Sequence, residues 1–155
     1  MKRSLLLLFV LFSTLFLELR AERYYYFDHI TTTDGLPSNT IYCTLQDRAG
    51  FMWIGTRDGL SRYDGNSFRH MRDIVTSDEI GGNVFTICED TEGQIWYSTP
   101  SGISIYDPTT GSTKSLGTLG GSSCFNIQAD AKGRVWLIAE GLTRYDCTTL
   151  EKKTY

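Results

Sequence analysis

The sequence has no surplus of positive charge, few histidines and no cysteines at metal-binding spacing, and each shortage removes a class of function. Fifteen Lys and Arg stand against 18 Asp and Glu, a net charge of -3. Such a chain lacks the basic surface that neutralises phosphates, so no nucleic-acid partner is expected. The two histidines, His29 and His70, are distant in sequence and read as surface or packing residues. There is no phosphate-cradling glycine loop, nucleophile elbow or zinc signature. Nor do any two carboxylates stand out as a pair facing one glycosidic bond. The expectation is therefore no catalytic residue, no metal and no cofactor. Of the four cysteines, Cys43 and Cys88 fall at predicted strand positions and read as buried thiols, whereas Cys124 and Cys147 leave a disulfide open.

The apolar run is also short. Lys2 and Arg3 precede an uncharged stretch from Ser4 to Leu17 that Glu18 ends. A bilayer-spanning helix needs roughly 20 apolar residues, so the layout is that of a secretory signal over residues 1–21, with export as its consequence and an uncleaved anchor as the alternative. Removing those residues takes away Lys2, Arg3, Arg20 and Glu18, which moves the net charge from -3 to about -5.

What the chain does have is an internal repeat. Asp47, Gly50 and Trp53 recur as Asp90, Gly93 and Trp96, and again as Asp130, Gly133 and Trp136, with identical internal spacing. Each copy ends in a related tail, GLSRYD, GISIYD or GLTRYD. The approximate repeat bounds are 34–73, 78–117 and 121–155. Within the first copy IYCTLQD, FMWIGT, LSRYD and SFRHM read as four short strands separated by turn residues.

Four strands make one blade of a β-propeller, and residues 22–155 are expected to form an all-β, incomplete propeller of about three such blades. The Asp of each Asp-x-x-Gly turn can accept backbone N–H groups, and the Gly can take positive φ. Each Trp, if buried between blades, removes roughly 150–250 Å² from water, on the order of 4–6 kcal/mol as an upper estimate. Propellers close with roughly four to eight blades, so three repeats read as part of a larger ring completed by further blades or a second copy. The segment YYYFDHI resembles the outer-strand segment SFRHM and is expected to be the closing strand of a last blade that is missing here, with Tyr24, Tyr25 and Tyr26 packed in it and stacking on a sugar as the alternative. Asp64 and Asp107 are expected to form turns with Gly65 and Pro108.

The string DGLPSNTIYCTLQDRAGFMWIGTRDGLSRYDG, residues 34–65, resembles the regulator-propeller repeat in the periplasmic half of Bacteroides-type hybrid two-component sensors. The second repeat departs with YSTP at 97–100, and the third lacks one residue before Gly141. The resemblance implies a periplasmic sensor input, often responsive to oligosaccharides, that acts by shifting a conformational balance. In that family two propellers and an immunoglobulin-like domain precede a membrane helix, a histidine kinase, a receiver and a DNA-binding domain, so the membrane would be reached only through a downstream segment. A secreted propeller enzyme acting on glycans is the alternative. The turn also resembles the Asp-box of sialidases, but Leu45, Cys88 and Gln128 stand where that motif has Ser or Thr, and the motif is itself structural.

A ligand site, if present, belongs on the face opposite the Asp turns. The loops between second and third strands project there, carrying Arg57, Asp58, Pro100, Ser101 and Glu140. Arg57, Asp58, Ser101 and Glu140 are the candidate sugar-binding residues, because sugar recognition wants planar polar groups and aromatics.

Overall fold

A computed structural model describes residues 24–71, 82–118 and 124–155. The leader expected over residues 1–21 lies outside the described residues. No described helix is long and apolar enough to cross a membrane.

Each repeat folds as one four-stranded antiparallel sheet. The first contains β1 (Ile41–Gln46), β2 (Met52–Thr56), β3 (Gly59–Tyr63) and β4 (Phe68–His70). The second contains β5 (Thr86–Glu89), β6 (Ile95–Thr99), β7 (Gly102–Asp107) and β8 (Ser112–Gly117). The third contains β9 (Asn126–Asp130), β10 (Arg134–Ile138), β11 (Leu142–Asp146) and β12 (Lys152–Thr154). Strands are paired in chain order, and the first strands β1, β5 and β9 touch their neighbours from blade to blade. Those three strands therefore lie innermost, and the sheets are propeller blades stacked face to face.

The stacking follows from the absence of a polar side on the middle strands. Every residue of β6 is buried, as are four of the six residues of β7. A sheet apolar on both faces must be covered on both. Accordingly one core cluster, including Trp53, Leu60, Val84, Ile95 and Tyr97, fills the junction of blades one and two. A second, including Trp96, Ile105, Ile127, Val135 and Leu137, fills the junction of blades two and three.

The Asp turns hold each blade together more tightly than the sequence suggested. Asp90 accepts the backbone N–H of Glu92 and of Gln94 on Oδ1, each at 2.9 Å, and the indole N–H of Trp96 on Oδ2 at 2.7 Å. Asp47 takes Phe51 N–H at 2.9 Å and the Trp53 indole at 2.7 Å, while Asp130 takes Lys132 N–H at 2.8 Å and the Trp136 indole at 2.9 Å. A buried indole N–H needs an acceptor, and a carboxylate is a strong one. The turn glycines Gly50, Gly93 and Gly133 have φ of 92°, 82° and 71°, as the repeat pattern requires.

Trp53 and Trp96 are then each covered by the following blade. Trp53 meets Tyr106 at a ring-centroid distance of 5.6 Å, and Trp96 meets Tyr145 at 5.8 Å, both pairs tilted. Trp136 has no blade on its outer side among the described residues; it is half-buried and stacks on Tyr155 at 5.9 Å.

Two expectations need correction. Residues 24–30 form no strand, and Tyr24, Tyr25 and Tyr26 are solvent-exposed rather than packed. Each of the three sheets has an outer strand from its own repeat, β4, β8 or β12, and the last blade that a closing strand would complete is not among them. His29 therefore does not correspond to His70, which sits in β4 with its Nδ1 2.8 Å from Ser61 Oγ. Among the cysteines, Cys43 is half-buried, while Cys88, Cys124 and Cys147 are buried in the second core cluster, and all four are unpaired.

Candidate ligand-binding face

The hairpin order fixes two faces. One carries the Asp turns and the β3–β4, β7–β8 and β11–β12 turns; the other carries the β2–β3, β6–β7 and β10–β11 loops together with the start of each innermost strand.

On the first face the turn carboxylates are occupied internally. Asp64 Oδ1 accepts the N–H groups of Asn66 and Ser67, Asp107 Oδ1 those of Thr109 and Thr110, and Asp146 Oδ1 those of Thr148 and Thr149. These bonds hold all three carboxylates below the usual carboxylate range. The expected turns at Asp64 and Asp107 are thus present, with a third at Asp146. A groove of about 220 Å³ lies on this side, lined by residues that include Gln94, Asp107, Lys114 and Cys147. It is smaller than the roughly 300–1,000 Å³ of ordinary ligand pockets. Arg48 ties blade one to blade two here, donating to the backbone carbonyls of Asp90 and, at 3.0 Å, of Thr91.

The second face is built differently. In blade one Thr56 Oγ1 donates to Gly59 O at 2.9 Å and accepts from Asp58 N–H at 3.1 Å, closing a tight loop that presents Arg57 and Asp58 to solvent. Thr99 plays the same part in blade two, where Ser101 N–H donates to its Oγ1 at 3.2 Å. Blade three has Ala139 in place of Thr, and its shorter loop closes by Ala139 N–H to Gly141 O at 3.2 Å, leaving Glu140 exposed. Arg57, Asp58, Ser101 and Glu140 therefore share one face on three successive blades and differ in chemistry from blade to blade.

The departure at 97–100 has a structural reason. Gly55 in blade one sits where a Cβ would lie 2.5 Å from Cys43 Sγ and 2.8 Å from Val84 O. Ser98 replaces it in blade two and uses its hydroxyl, donating to Cys124 O across the blade junction at 2.7 Å.

The same face carries a feature that the sequence reading missed. Tyr42, Phe85 and Phe125 each stand five residues before the turn Asp of their repeat. Their rings form a continuous row across three blades, with centroids 5.4 Å apart from Tyr42 to Phe85 and 5.6 Å apart from Phe85 to Phe125. Phe125 is 70% exposed and Tyr42 44%. The ladder between β1 and β2 shifts register between Ile41 and Cys43, an irregularity located at Tyr42. Such bulges re-aim a side chain. The signal available in sequence was the repeated aromatic at one register position.

With the blade junctions in view, the repeats can be assigned. Residues 35–58 and 78–101 match the two-component regulator propeller family. Two of this chain's three repeats match regulator-propeller repeats. The extracellular domain described as that of a hybrid two-component system from B. thetaiotaomicron is 27% identical and superposes with a TM-score of 0.69 over 88% of this chain and 19% of its own. A second such domain from the same organism, 22% identical, has a TM-score of 0.63 over 82% of this chain and 17% of its own. A histidine kinase of Formosa agariphila is 38% identical over 65 residues, 41% of this chain and 5% of the kinase. This chain thus spans a small part of each relative's length, and the part it matches in the B. thetaiotaomicron proteins is extracellular.

Proposed function

We propose that this chain is a ligand-sensing propeller segment of an exported hybrid two-component sensor, with oligosaccharide as the ligand class. The observation that carries the reading is the regulator-propeller match in two successive repeats, joined to a 27% identical extracellular domain that spans nearly all of this chain. Export agrees with the extracellular placement of that neighbour and with the amino-terminal apolar run. Sensing by this segment requires only differential affinity between two arrangements of the sensor. Its own residues supply recognition, through Arg57, Asp58, Ser101 and Glu140 on the loop face, while phosphoryl transfer belongs to a kinase elsewhere in the sensor. Among the described residues no cluster of three His, Cys, Asp or Glu groups is arranged to hold a metal ion.

The test is an in-frame deletion of the segment encoding residues 24–155 in the producing organism, followed by transcript profiling on a panel of plant and host polysaccharides. Loss of induction on one polysaccharide, restored by the intact gene, is the expected result. Unchanged transcripts on every polysaccharide would sink the sensor reading.

A further inference from the structure

The row Tyr42, Phe85 and Phe125 has no part in either core cluster, and three blades place it at the same register. We infer that this row is a stacking rail for successive pyranose rings of an oligosaccharide, one aromatic ring per blade. The inference rests on the sensor reading for its ligand class and goes beyond it in naming the platform and its periodicity.

Four observations carry it. First, the backbone beside the rail is anchored. Tyr42 lies at the start of β1, and Phe85 and Phe125 immediately precede β5 and β9; nearby, Arg57 N–H donates to Thr40 O at 3.0 Å, Val84 N–H to Thr56 O at 2.9 Å and Phe85 N–H to Ser98 O at 3.1 Å. Second, the rail is too small for a protein partner. Three partly covered aromatic side chains expose roughly 300 Å² at most, against about 800 Å² on each side of a standard protein interface. Third, it is aromatic and uncharged, with the Tyr42 hydroxyl as its polar group, and it shares its face with the Arg57, Asp58, Ser101 and Glu140 loops. An aromatic strip bordered by hydrogen-bonding groups fits a ligand with a C–H face and a hydroxyl rim, which is the chemistry of a pyranose. Fourth, both the spacing and the chemistry repeat, since adjacent centroids are 5.4 and 5.6 Å apart with ring planes inclined by 55° and 50°, a stepped platform that suits a saccharide chain whose successive rings turn. A row of like subsites suits a ligand made of like units.

The rail is tested by calorimetric titration of the full chain with cellohexaose, xylohexaose, mannohexaose and laminarihexaose. At least one probe is expected to bind, with affinity falling tenfold or more in Phe125→Ala and in Tyr42→Ala. Phe125→Trp, which keeps an aromatic face, is expected to bind within threefold of the parent. Because Phe125 is largely exposed, its replacement should leave the urea midpoint unchanged, which separates lost binding from lost folding. Equal affinity in parent and both alanine variants would overturn the rail while leaving saccharide recognition by the loops intact. Binding of none of the four probes would overturn the rail, with the transcript experiment still deciding the sensor reading independently.

Discussion

Replacing Asp90 with Ala removes the group on which the second blade's turn is built. Asp90 is fully buried and accepts three hydrogen bonds, two from turn N–H groups and one from the indole of Trp96, itself fully buried. The turn N–H groups of Glu92 and Gln94 can regain water, so each loss costs about 1 kcal/mol. The indole N–H cannot, because the third blade covers it through Tyr145, and an orphaned buried donor costs about 1–3 kcal/mol. The sum is about 3–5 kcal/mol. Urea unfolding followed by tryptophan fluorescence reads it directly, provided the slope is unchanged. Asp130→Ala is the comparison: its turn makes the same backbone and indole bonds and adds an Arg134 ion pair at 2.6 Å. That pair is partly exposed and contributes little, whereas Trp136 is only half-buried and its indole can reach water, so the loss is expected to be smaller than for Asp90→Ala. Equal losses for the two variants, or a loss under about 0.5 kcal/mol for Asp90→Ala, would refute the idea that the carboxylate serves chiefly to satisfy a buried indole.

Other outcomes follow from the blade junctions and the titrating groups. Gly55→Ala should cost about 1–3 kcal/mol by overpacking, because its Cβ would meet both Cys43 and the Val84 carbonyl of the next blade; a neutral result in the same unfolding assay would mean that the junction is loose. Burial pushes the Cys43 and Cys147 thiols up to about 11 and Cys88 up to about 12, from an ordinary 9.0. Folded thiols therefore keep their protons while unfolded ones lose them, so stability is full below pH 9 and falls between pH 9 and 12; at pH 8 iodoacetamide should label these three slowly in the native chain and quickly in urea, and rapid native labelling would contradict their burial. The carboxylates of Asp64, Asp107 and Asp146 are shifted the other way. The stability they give is present above the ordinary carboxylate range and is lost as pH falls through their lowered values, so the urea midpoint should hold from neutrality to about pH 4 and decline below it.

The blade architecture was legible because it is written three times. A turn that needs Asp for its N–H groups and Gly for its φ leaves a fixed spacing, and the Trp six residues after the Asp is kept by the same carboxylate. The indole bond itself was hidden, since spacing along a chain does not say which side chain a carboxylate faces. Residues 24–30 show the opposite limit. Their similarity to SFRHM reports that they would suit an outer-strand position, but strand formation also needs an edge to pair with; β4, β8 and β12 fill that place in the three described blades, and the last blade such a segment would close is not among them. The disulfide left open between Cys124 and Cys147 depended on Cα separation and Cβ direction, which no sequence pattern encodes. The candidate loop residues were found by topology alone: once hairpin order is known, Arg57, Asp58, Ser101 and Glu140 must share a face.

The two faces differ in how their side chains are used. On the Asp-turn face the same chemistry recurs in every blade, and its carboxylates spend their lone pairs on their own turns and on the indoles beneath them. On the opposite face the backbone is equally fixed, by Thr56 and Thr99 closing their loops and by Ser98 bonding Cys124 O across a junction. Yet the side chains those loops present change from Arg-Asp to Pro-Ser to Glu, while the aromatic row beside them persists. A constant aromatic rail bordered by variable polar groups is the arrangement expected when stacking supplies a shared part of affinity and the loops supply discrimination. Specificity would then be altered by exchanging loop residues between blades without disturbing the Asp–Trp network, because that network sits at the far end of the same strands.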